Sequence, residues 1–349
     1  MKNINLAVVG PGLIGKKHIE LIKNNNRTSL TAIIAPDHAH NHIYSKEIQK
    51  PLFFDLESCF SLQKIDGVII SSPNKFHFEQ AKFCIKNHIP VLIEKPITAT
   101  VKQGEELVQL AEKYNAKVLI GHHRAHSPLL TKAQEIIKSG RLGKIVSVTG
   151  SAQFYKPKSY FEAGPWRTKI GGGPILINLI HEIGNLRSLC GEIIAVHAFA
   201  SSHIRKFPVE DTVSINLMFE DGVLGTFILS DTAACAKSWE QTSQENTAYP
   251  TYADEDCYVI SGTLGSLAIP TFRLNYYQNE DSASWWQPFE QEVFQIQRKD
   301  PLACQLDHFI DIIENKAFPR VSAKDGLRNL QITEAISQSA KNKKTIYFK

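Results

Sequence analysis

Short apolar runs alternate with amphipathic stretches along the first third of the chain. The first run, Ile4–Val9, is rich in valine and isoleucine. Similar runs recur at residues 31–35, 67–72, 89–96 and 117–123. Between them, apolar residues follow helical spacing, as in 76–87 and 100–114, which predicts helices between strands. This alternation is typical of βαβ units, so we expect a doubly wound α/β domain around a parallel sheet.

The pattern changes beyond about residue 123, where longer alternating runs replace the strict succession of strand and helix. Strands are predicted within residues 142–156, 192–203, 210–231, 257–270 and 345–349, and helices at 301–315 and 323–341. Asp221-Gly222 stands between two such runs and is typical of a hairpin turn. We therefore expect two domains: residues 1–122 with the parallel sheet, and residues 123–349 as an α/β domain with a large, mostly antiparallel sheet.

Composition excludes several classes of protein. The chain has 349 residues, of which 43% are hydrophobic and 21% charged, as in ordinary globular proteins. The net charge of +4 comes from dispersed residues, so we expect no nucleic-acid-binding face. No apolar stretch approaches the roughly 18 residues of a membrane span, so no membrane association is expected. The N-terminus lacks a signal-peptide pattern.

The six cysteines are scattered, without a CxxC pair or the spacing of metal ligands: Cys59, Cys84, Cys190, Cys235, Cys257 and Cys304. We interpret them as reduced thiols of a cytoplasmic protein. The His122-His123 pair has no cysteine or carboxylate close by in sequence, so we expect no metal site there.

The loop after the first strand carries three glycines with the spacing G-x-G-x-x-G. Gly10, Gly12 and Gly15 stand between a predicted strand and a predicted helix, which is the context of a Rossmann dinucleotide-binding loop. Such glycines permit a tight turn, the approach of a pyrophosphate to the backbone, and close packing of helix on strand. The helix that begins with Leu13 and Ile14 presents amides and a positive dipole end to phosphate. The loop therefore predicts NAD or NADP as cofactor.

Polar residues also follow the later strands of this domain, at the edge where ligands bind in doubly wound sheets. The segments concerned are SSPNKFH and EKP, at the ends of the runs at 67–72 and 89–96. We expect six of their residues to line the cofactor site: Ser72, Pro73, Asn74, His77, Glu94 and Lys95. The alternative interpretation of Lys95 is a solvated surface charge.

The end of the second strand bears on the choice between the two cofactors. An acidic residue about 20 positions after the glycines usually binds the adenosine ribose of NAD. Ala35 occupies that position here, and Asp37 follows two residues later. His38 and His40 offer an alternative, as partners for the 2′-phosphate of NADP. Because no arginine or lysine stands between Ala35 and Tyr44, NAD is slightly favoured.

A glycine-rich turn at 171–173 leads into an apolar run with a histidine in its middle. At helical spacing, four polar residues share one face, opposite an apolar face: Asn178, His181, Glu182 and Asn185. One interpretation is a solvated stripe or a structural core histidine. The other is a helix that holds His181 over a reacting group.

Together these segments resemble the glucose–fructose oxidoreductase/inositol dehydrogenase (Gfo/Idh/MocA) family over nearly the whole chain. The resemblance rests on the glycine loop, on SPNKFHFEQAKFCIKNHIPVLIEKPIT, on GHHRAHSPLL, and on WRTKIGGGP before the helix with His181. It implies a Rossmann domain followed by an α/β domain whose large sheet pairs subunits into homo-oligomers, as dimers or tetramers. It also implies an NAD(P)-dependent oxidoreductase.

By position, Lys95 of the EKP segment resembles the family's catalytic lysine, and His181 resembles its catalytic histidine. The family often has an aspartate four residues before that histidine, where this chain has Ile177. Chemistry supports a lysine–histidine pair, because a histidine removes the proton of an alcohol and an ammonium stabilises the developing alkoxide. The hypothesis is hydride transfer between nicotinamide and a secondary alcohol of a sugar, cyclitol or related polyol.

The candidates for substrate binding are, in chain order, Arg124, Trp166, Arg167, Asn178, His181 and Trp239. An aromatic face stacks on sugar C–H groups, and a guanidinium binds hydroxyl or carboxylate oxygens. Two alternative functions stay open. One is a regulator that binds cofactor and ligand without catalysis, and the other is a reductase of a dihydrodiol- or enone-type substrate.

Overall fold

The computed structural model describes residues 3–348; Met1, Lys2 and Lys349 lie outside the described residues. The chain forms two compact units. Among the described residues, the first contains 3–126 together with Pro301–Leu330, and the second contains Ser127–Asp300 together with 331–348. These units differ from the division at residue 122 expected from the sequence, because the segment 301–330 returns to the first unit.

The strands in chain order are β1 Ile4–Val9, β2 Thr28–Ile34, β3 Leu52–Phe53, β4 Gly67–Ile70, β5 Val91–Glu94, β6 Val118–Gly121, β7 Ile145–Gln153, β8 Ile193–Ser201, β9 Thr212–Phe219, β10 Leu224–Ser230, β11 Tyr258–Gly262, β12 Gly265–Ile269, β13 Arg273–Tyr276, β14 Glu290–Val293 and β15 Ile346–Tyr347. The α-helices are α1 Leu13–Asn24, α2 Ala39–Ile48, α3 Leu56–Leu62, α4 His77–Lys86, α5 Val101–Lys113, α6 Pro128–Lys138, α7 Lys158–Glu162, α8 Ile180–Cys190, α9 Trp239–Thr242, α10 Pro301–Ile313 and α11 Ala323–Asn342.

The first unit contains a parallel sheet, as the alternation of strands and helices predicts. Over the described residues its six strands lie in the order β3-β2-β1-β4-β5-β6, and every pairing is parallel. The strand order reverses between β1 and β4, so this is the point where doubly wound folds bind dinucleotides, outside the carboxyl ends of the strands. The predicted Rossmann architecture is confirmed.

Both faces of this sheet are buried, which explains why its strands read as unbroken apolar runs. Along β1, Ala7 and Val9 belong to one apolar cluster, whereas Leu6 and Val8 belong to a second. Successive side chains of a strand point to opposite faces, so these two clusters cover the two faces.

Helix α10 joins the first unit because its apolar side belongs to the second of these clusters. Leu306, Phe309 and Ile310 are buried there together with Leu6 and Val8 of β1. Sequence periodicity predicts this helix but not where it packs. The apolar pattern of the strands is the same whether the helix that covers them is adjacent in sequence or comes from far along the chain.

The second unit contains the large sheet expected after residue 123. Its nine strands within the described residues have the order β14-β13-β12-β11-β7-β10-β9-β8-β15. β7 and β10 pair in parallel, and the other pairings are antiparallel. The predicted hairpin joins β9 to β10, with Gly222 at φ +81° in its turn.

One face of this sheet is covered by helices and the other is exposed. In β9, Val213, Ile215 and Leu217 are buried, whereas the residues between them are exposed. The buried side packs with apolar residues of α6 and α8, including Leu129 and Ile183. Across residues 3–348, no helix has the length and apolar character needed to cross a membrane.

Candidate active site

The loop between β1 and α1 gives each of its three glycines a separate role. Gly10 has φ +83°, and a Cβ atom there would lie 2.6 Å from the backbone N and Cα of Ser72. A Cβ atom on Gly15 would overlap the carbonyl oxygen of Gly10. At Gly12 an added Cβ would meet nothing within 4 Å, so the backbone is accessible there. The loop therefore combines a tight turn, close helix packing and the open approach that a pyrophosphate needs.

The start of α1 is suited to bind phosphate. Gly12 caps the helix without a side-chain hydrogen bond, and its carbonyl oxygen accepts from the amide of Lys16 at 2.9 Å. The amides of Leu13, Ile14 and Gly15 precede that bond, and the first amides of a helix have no partner within it. They also carry the positive end of the helix dipole, so they fit the cofactor's phosphates.

Residues after β4 fix the glycine loop in place. Ser71, which sequence analysis did not single out, donates from Oγ to the carbonyl oxygens of Val9 and Gly10, at 2.9 Å each. The next residues, expected at the cofactor site, are partly or fully exposed: Ser72, Pro73 and Asn74. Their contact with a cofactor stays a prediction.

His77 links the two candidate segments of the first unit. It is buried, and its ring nitrogens lie 2.8 Å from the carbonyl oxygen of Ser72 and 2.9 Å from that of Pro96. Burial lowers the pKa of the His77 ring, whereas its contacts with the two carbonyl oxygens oppose that shift. The histidine thus holds the segments after β4 and β5 together, which explains a histidine at this position without a direct cofactor contact.

Glu94 positions the backbone of Lys95. Its buried carboxylate lies 2.8 Å from Nε2 of His18 on α1, and it also accepts from the amide of Lys95 at 3.3 Å. The role of His18 could not be predicted from the sequence, because nothing near a histidine on the buried side of a helix indicates a partner 76 residues away. Lys95 itself is partly buried at the carboxyl end of β5.

The segment after β6 brings a histidine and a buried arginine into the electrostatic neighbourhood of Lys95. Desolvation holds the pKa of His123 well below its usual range, and the charges of Arg124 and Lys95 lower it further. Arg124 is buried in a 3-10 turn, His123–His126. The first unit thus brings Lys95 and the predicted substrate residue Arg124 into one electrostatic neighbourhood. In the part of the chain that the structure describes, no group of three or more metal-ligating side chains is found.

Asp37, the candidate for ribose recognition, lies in the segment between β2 and α2. Its side chain is 69% exposed, and its Oδ1 lies 2.7 Å from Nε2 of His42, a partner that sequence analysis did not consider. Lys16, on α1, has its Nζ 4.5 Å from the ring centre of Tyr44 on α2. Lys16 is thus a cation near this region that lies outside the stretch between Ala35 and Tyr44, on which the preference for NAD was based.

The predicted helix around His181 begins with a π-helical segment. Ile175–Leu179 is π-helical and continues into α8, so the single regular helix expected from periodicity is wrong at its first turns. Glu210 accepts a hydrogen bond from the Ile175 amide at 2.9 Å, and Gly173 at φ +83° makes room for that carboxylate. Single π turns are frequent at functional sites, since they redirect the side chains that follow.

The polar side of α8 is buried, so its interpretation as a solvated stripe is wrong. His181 is 7% exposed, and Glu182 and Asn185 are more deeply buried. Asn185 Nδ2 donates to the hydroxyl of Tyr258 at 3.1 Å, and that hydroxyl donates to Glu182. A buried hydrogen-bonded network therefore fixes the helix next to His181.

A lysine that sequence analysis missed contacts the same helical region. Lys156 follows β7, and its Nζ donates to Oδ1 of Asn178 at 2.7 Å. Asp231 lies 3.8 Å from this Nζ and also accepts from Nε of Arg205 at 2.7 Å. Burial lowers the pKa of Lys156 to about 8. The predicted substrate residue Asn178 thus has a cationic partner.

The aromatic candidates differ in exposure. Trp166 is 56% exposed, and Arg167 beside it packs 4.0 Å from the ring centre of Tyr160 and donates to the Tyr160 carbonyl. Trp239 is buried in the core of the second unit, where its Nε1 donates to Glu245 at 3.0 Å. Packing accounts for Trp239, whereas Trp166 offers an aromatic face to solvent.

Comparisons with known proteins decide the family. A family model described as an oxidoreductase family with an NAD-binding Rossmann fold matches residues 4–122. The model of the GFO/IDH/MocA C-terminal domain matches residues 130–268. The chain belongs to the Gfo/Idh/MocA family of oxidoreductases.

The relatives include dehydrogenases and a hydratase. Inositol 2-dehydrogenase of Rhizobium meliloti (strain 1021) is 23% identical over 354 residues, covering 98% of each chain. A protein of Escherichia coli (strain K12) named 2,7-anhydro-N-acetylneuraminate hydratase is 27% identical over 191 residues, covering 54% of this chain and 50% of its own length. The structure of the WlbA dehydrogenase from Bordetella pertussis with NADH and UDP-GlcNAcA has a TM-score of 0.78 at 20% identity, and the match covers 100% of this chain and 99% of the other. That likeness shows a shared fold.

As a Gfo/Idh/MocA oxidoreductase, the chain has the family's NAD-binding Rossmann fold in residues 4–122. The geometry of its glycine loop suits a dinucleotide. The open backbone at Gly12 and the amides that begin α1 are observed features of this chain, independent of the comparison. Ile177, at the position where the resemblance implied an aspartate, lies in the π-helical segment.

Proposed function

We propose that this Gfo/Idh/MocA protein transfers a hydride between the nicotinamide of NAD(P) and a secondary alcohol, or its ketone, of a sugar, cyclitol or related polyol. The glycine loop carries the proposal, because Gly10, Gly12 and Gly15 each meet one requirement of dinucleotide binding. The substrate class is supported by similarity along the full chain to a relative named inositol 2-dehydrogenase.

The residues of the first unit fit the cofactor. The loop Gly10–Gly15 would hold the pyrophosphate, and Asp37 would accept hydrogen bonds from the adenosine ribose. We favour NAD, since the carboxylate of Asp37 repels a 2′-phosphate. When bound, the nicotinamide supplies the hydride acceptor or donor.

Lys95 and His181 are the proposed catalytic residues. The ammonium of Lys95 donates to the reacting oxygen, which orients the hydroxyl and stabilises alkoxide character. His181 takes the hydroxyl proton during oxidation and returns it during reduction. Because Ile177 replaces the family's aspartate, no carboxylate at that position shares the proton with His181. Arg124, Trp166, Arg167 and Asn178 are the proposed substrate contacts.

We propose a homo-oligomer, a dimer or tetramer, that pairs through the exposed face of the large sheet. Apolar side chains are exposed along that sheet: Val146, Met218, Leu224 and Val259. An exposed apolar patch on a sheet favours association. None of the six cysteines forms a disulfide within the described residues, which supports a reducing compartment such as the cytoplasm.

The function is tested by incubating purified protein with NAD+ or NADP+ and a panel of cyclitols, aldoses and sugar acids, beginning with myo-inositol. Absorbance of reduced nicotinamide measures turnover. Either cofactor alone should raise the melting temperature, because ligands that bind only the folded state stabilise it. Absence of that stabilisation would remove the basis of the proposal, and ligand binding without turnover would favour a regulator.

A further inference from the structure

A buried lysine of the second unit contacts the segment that leads to the proposed catalytic histidine. Lys156 is 6% exposed, and its Nζ donates to Oδ1 of Asn178 at 2.7 Å. Asn178 lies in the π-helical segment, three residues before His181. The roles proposed above for Lys95 and His181 give this second lysine no part in the reaction.

The contact determines which way the Asn178 carboxamide is turned. An ammonium has three donors and no acceptor, so only the amide oxygen can face it. Nδ2 of Asn178 therefore points away from Lys156. Within residues 3–348, Nδ2 donates to no protein group, and the Asn178 side chain is partly exposed. The pair thus presents two oriented N–H donors to a ligand.

Fixed groups hold the lysine before any ligand arrives. Asp231 lies 3.8 Å from Nζ and is itself bound by Arg205 through a 2.7 Å hydrogen bond. The rings of Phe154 and Tyr160 lie 5.3 and 4.9 Å from Nζ. Such preorganisation lowers the entropy cost of binding, because the donor need not be ordered by the substrate.

We propose that Lys156 is a positioning residue for substrate recognition, whose ammonium holds the Asn178 carboxamide so that Nδ2 donates to a hydroxyl or carbonyl oxygen of the polyol. This inference rests on the proposed function. It adds an oriented donor at Asn178, three residues before His181, in a segment where the neighbouring Ile177 offers no polar side chain.

The pair responds to pH through the lysine. Burial is the largest cause that lowers the pKa of Lys156, to about 8. The charged and titratable groups that face it are Asp231, Glu240, Arg205, Arg167, Glu210 and Tyr160. Below about pH 8 the ammonium enforces the amide orientation, and above it the neutral amine can also accept from Nδ2. Substrate KM should therefore rise as pH increases through about 8.

The first experiment needs no substrate. Protein labelled with 15N-asparagine gives a side-chain amide signal for Asn178, assigned through Asn178→Ala. We expect this signal to shift with a midpoint near pH 8, and to lose that shift in Lys156→Met. Lys158→Met is the matched control, since Lys158 is an exposed lysine two residues along and should leave the titration unchanged. A wild-type signal that does not titrate between pH 7 and 9.5 overturns the inference.

The second experiment uses the polyol turned over fastest in the cofactor-linked panel. Lys156→Met should raise KM about tenfold, while kcat changes less than about twofold. Its KM should lose the alkaline rise, and Lys156→Arg, which keeps its charge, should restore KM near pH 7 without that rise. In an Asn178→Ala background, Lys156→Met should raise KM no further, since the lysine acts through the amide.

The outcomes separate this inference from the proposed function. If a polyol is turned over but its KM is unchanged in Lys156→Met, the inference is overturned and the proposed function stands. The same holds if the effects of Lys156→Met and Asn178→Ala on KM are fully additive. If no polyol is turned over, the proposed function fails, and the titration of the Asn178 amide alone decides whether the lysine orients it.

Discussion

The glycine loop of the first unit and the π-helical segment of the second both lead into a helix, but they are built by opposite means. Residues 10–15 present backbone amides, and their geometry depends on the absence of side chains at Gly10 and Gly15. The segment Ile175–Leu179 is held by side chains that come from elsewhere, with Glu210 at its start and Lys156 at Asn178. The glycine loop should therefore be disrupted by substitutions that add a side chain. The π-helical segment should be disrupted by substitutions that remove one of the side chains that hold it.

The largest effect should come from adding one methyl group in the loop. Gly10→Ala puts Cβ 2.6 Å from the Ser72 backbone at φ +83°, so we expect the free energy of unfolding to fall by about 2–4 kcal/mol. Gly12→Ala is the matched control for folding, because nothing lies within 4 Å of its Cβ. It should leave stability within about 0.5 kcal/mol and weaken cofactor binding at least about tenfold. Urea unfolding measures the stability of the two variants, and calorimetric titration with NADH measures their affinity for the cofactor. Equal stability of the two variants would contradict the account.

The next effect concerns the proposed catalytic pair. Lys95→Ala and His181→Ala should each lower kcat by about 100-fold, the scale of losing electrostatic or acid–base assistance. Only His181→Ala should also abolish the acidic limb of the pH–rate profile, since the histidine must be neutral to accept a proton. Lys102→Ala removes an exposed lysine of α5 and serves as control. Near-normal turnover in either variant would exclude that residue from the chemistry.

A smaller effect should follow from cutting the network beside His181. Tyr258→Phe removes the hydroxyl that joins Asn185 to Glu182, with little change of shape. Buried polar groups that lose a partner cost about 1–3 kcal/mol, so the variant should be destabilised by that amount in urea unfolding. Tyr347→Phe, at an exposed tyrosine of β15, should have almost no effect. Indistinguishable stabilities would show that the network does not fix this helix.

The smallest effect concerns cofactor choice. Asp37→Asn removes an exposed carboxylate, so the ratio of kcat/KM for NADP to that for NAD should rise by about threefold to tenfold. Glu57→Gln, an exposed acid on α3, controls for net charge. A wild-type enzyme that prefers NADP at pH 8 would contradict the preference for NAD.

The same contrast explains which features could be predicted from sequence. The strand Ile4–Val9 and the glycine spacing are local, so the Rossmann fold and its loop follow from adjacent residues. The hairpin at Gly222 is local in the same way. These parts of the structure agree with the sequence analysis because each depends on backbone preferences within a few residues.

Other features depend on partners far apart in the chain. Tyr258 reaches Glu182 across 76 positions, and His18 reaches Glu94 across the same number. Helical periodicity predicted a regular helix through Asn178, but it does not report a π turn, whose cause is the packing and capping around it. Lys156 looked like the end of a strand in the sequence, because its partners Asn178 and Asp231 are distant along the chain.

The central claim is that this chain transfers a hydride, and an isotope measurement tests it most directly. A polyol from the panel, deuterated at its carbinol carbon, is oxidised with NAD+ and the reduced nicotinamide is analysed by NMR. The account predicts deuterium at C4 of the nicotinamide, on one face, and about one hundredth of that transfer in His181→Ala over the same time. Deuterium released to water, with unlabelled reduced cofactor or none, would contradict direct hydride transfer.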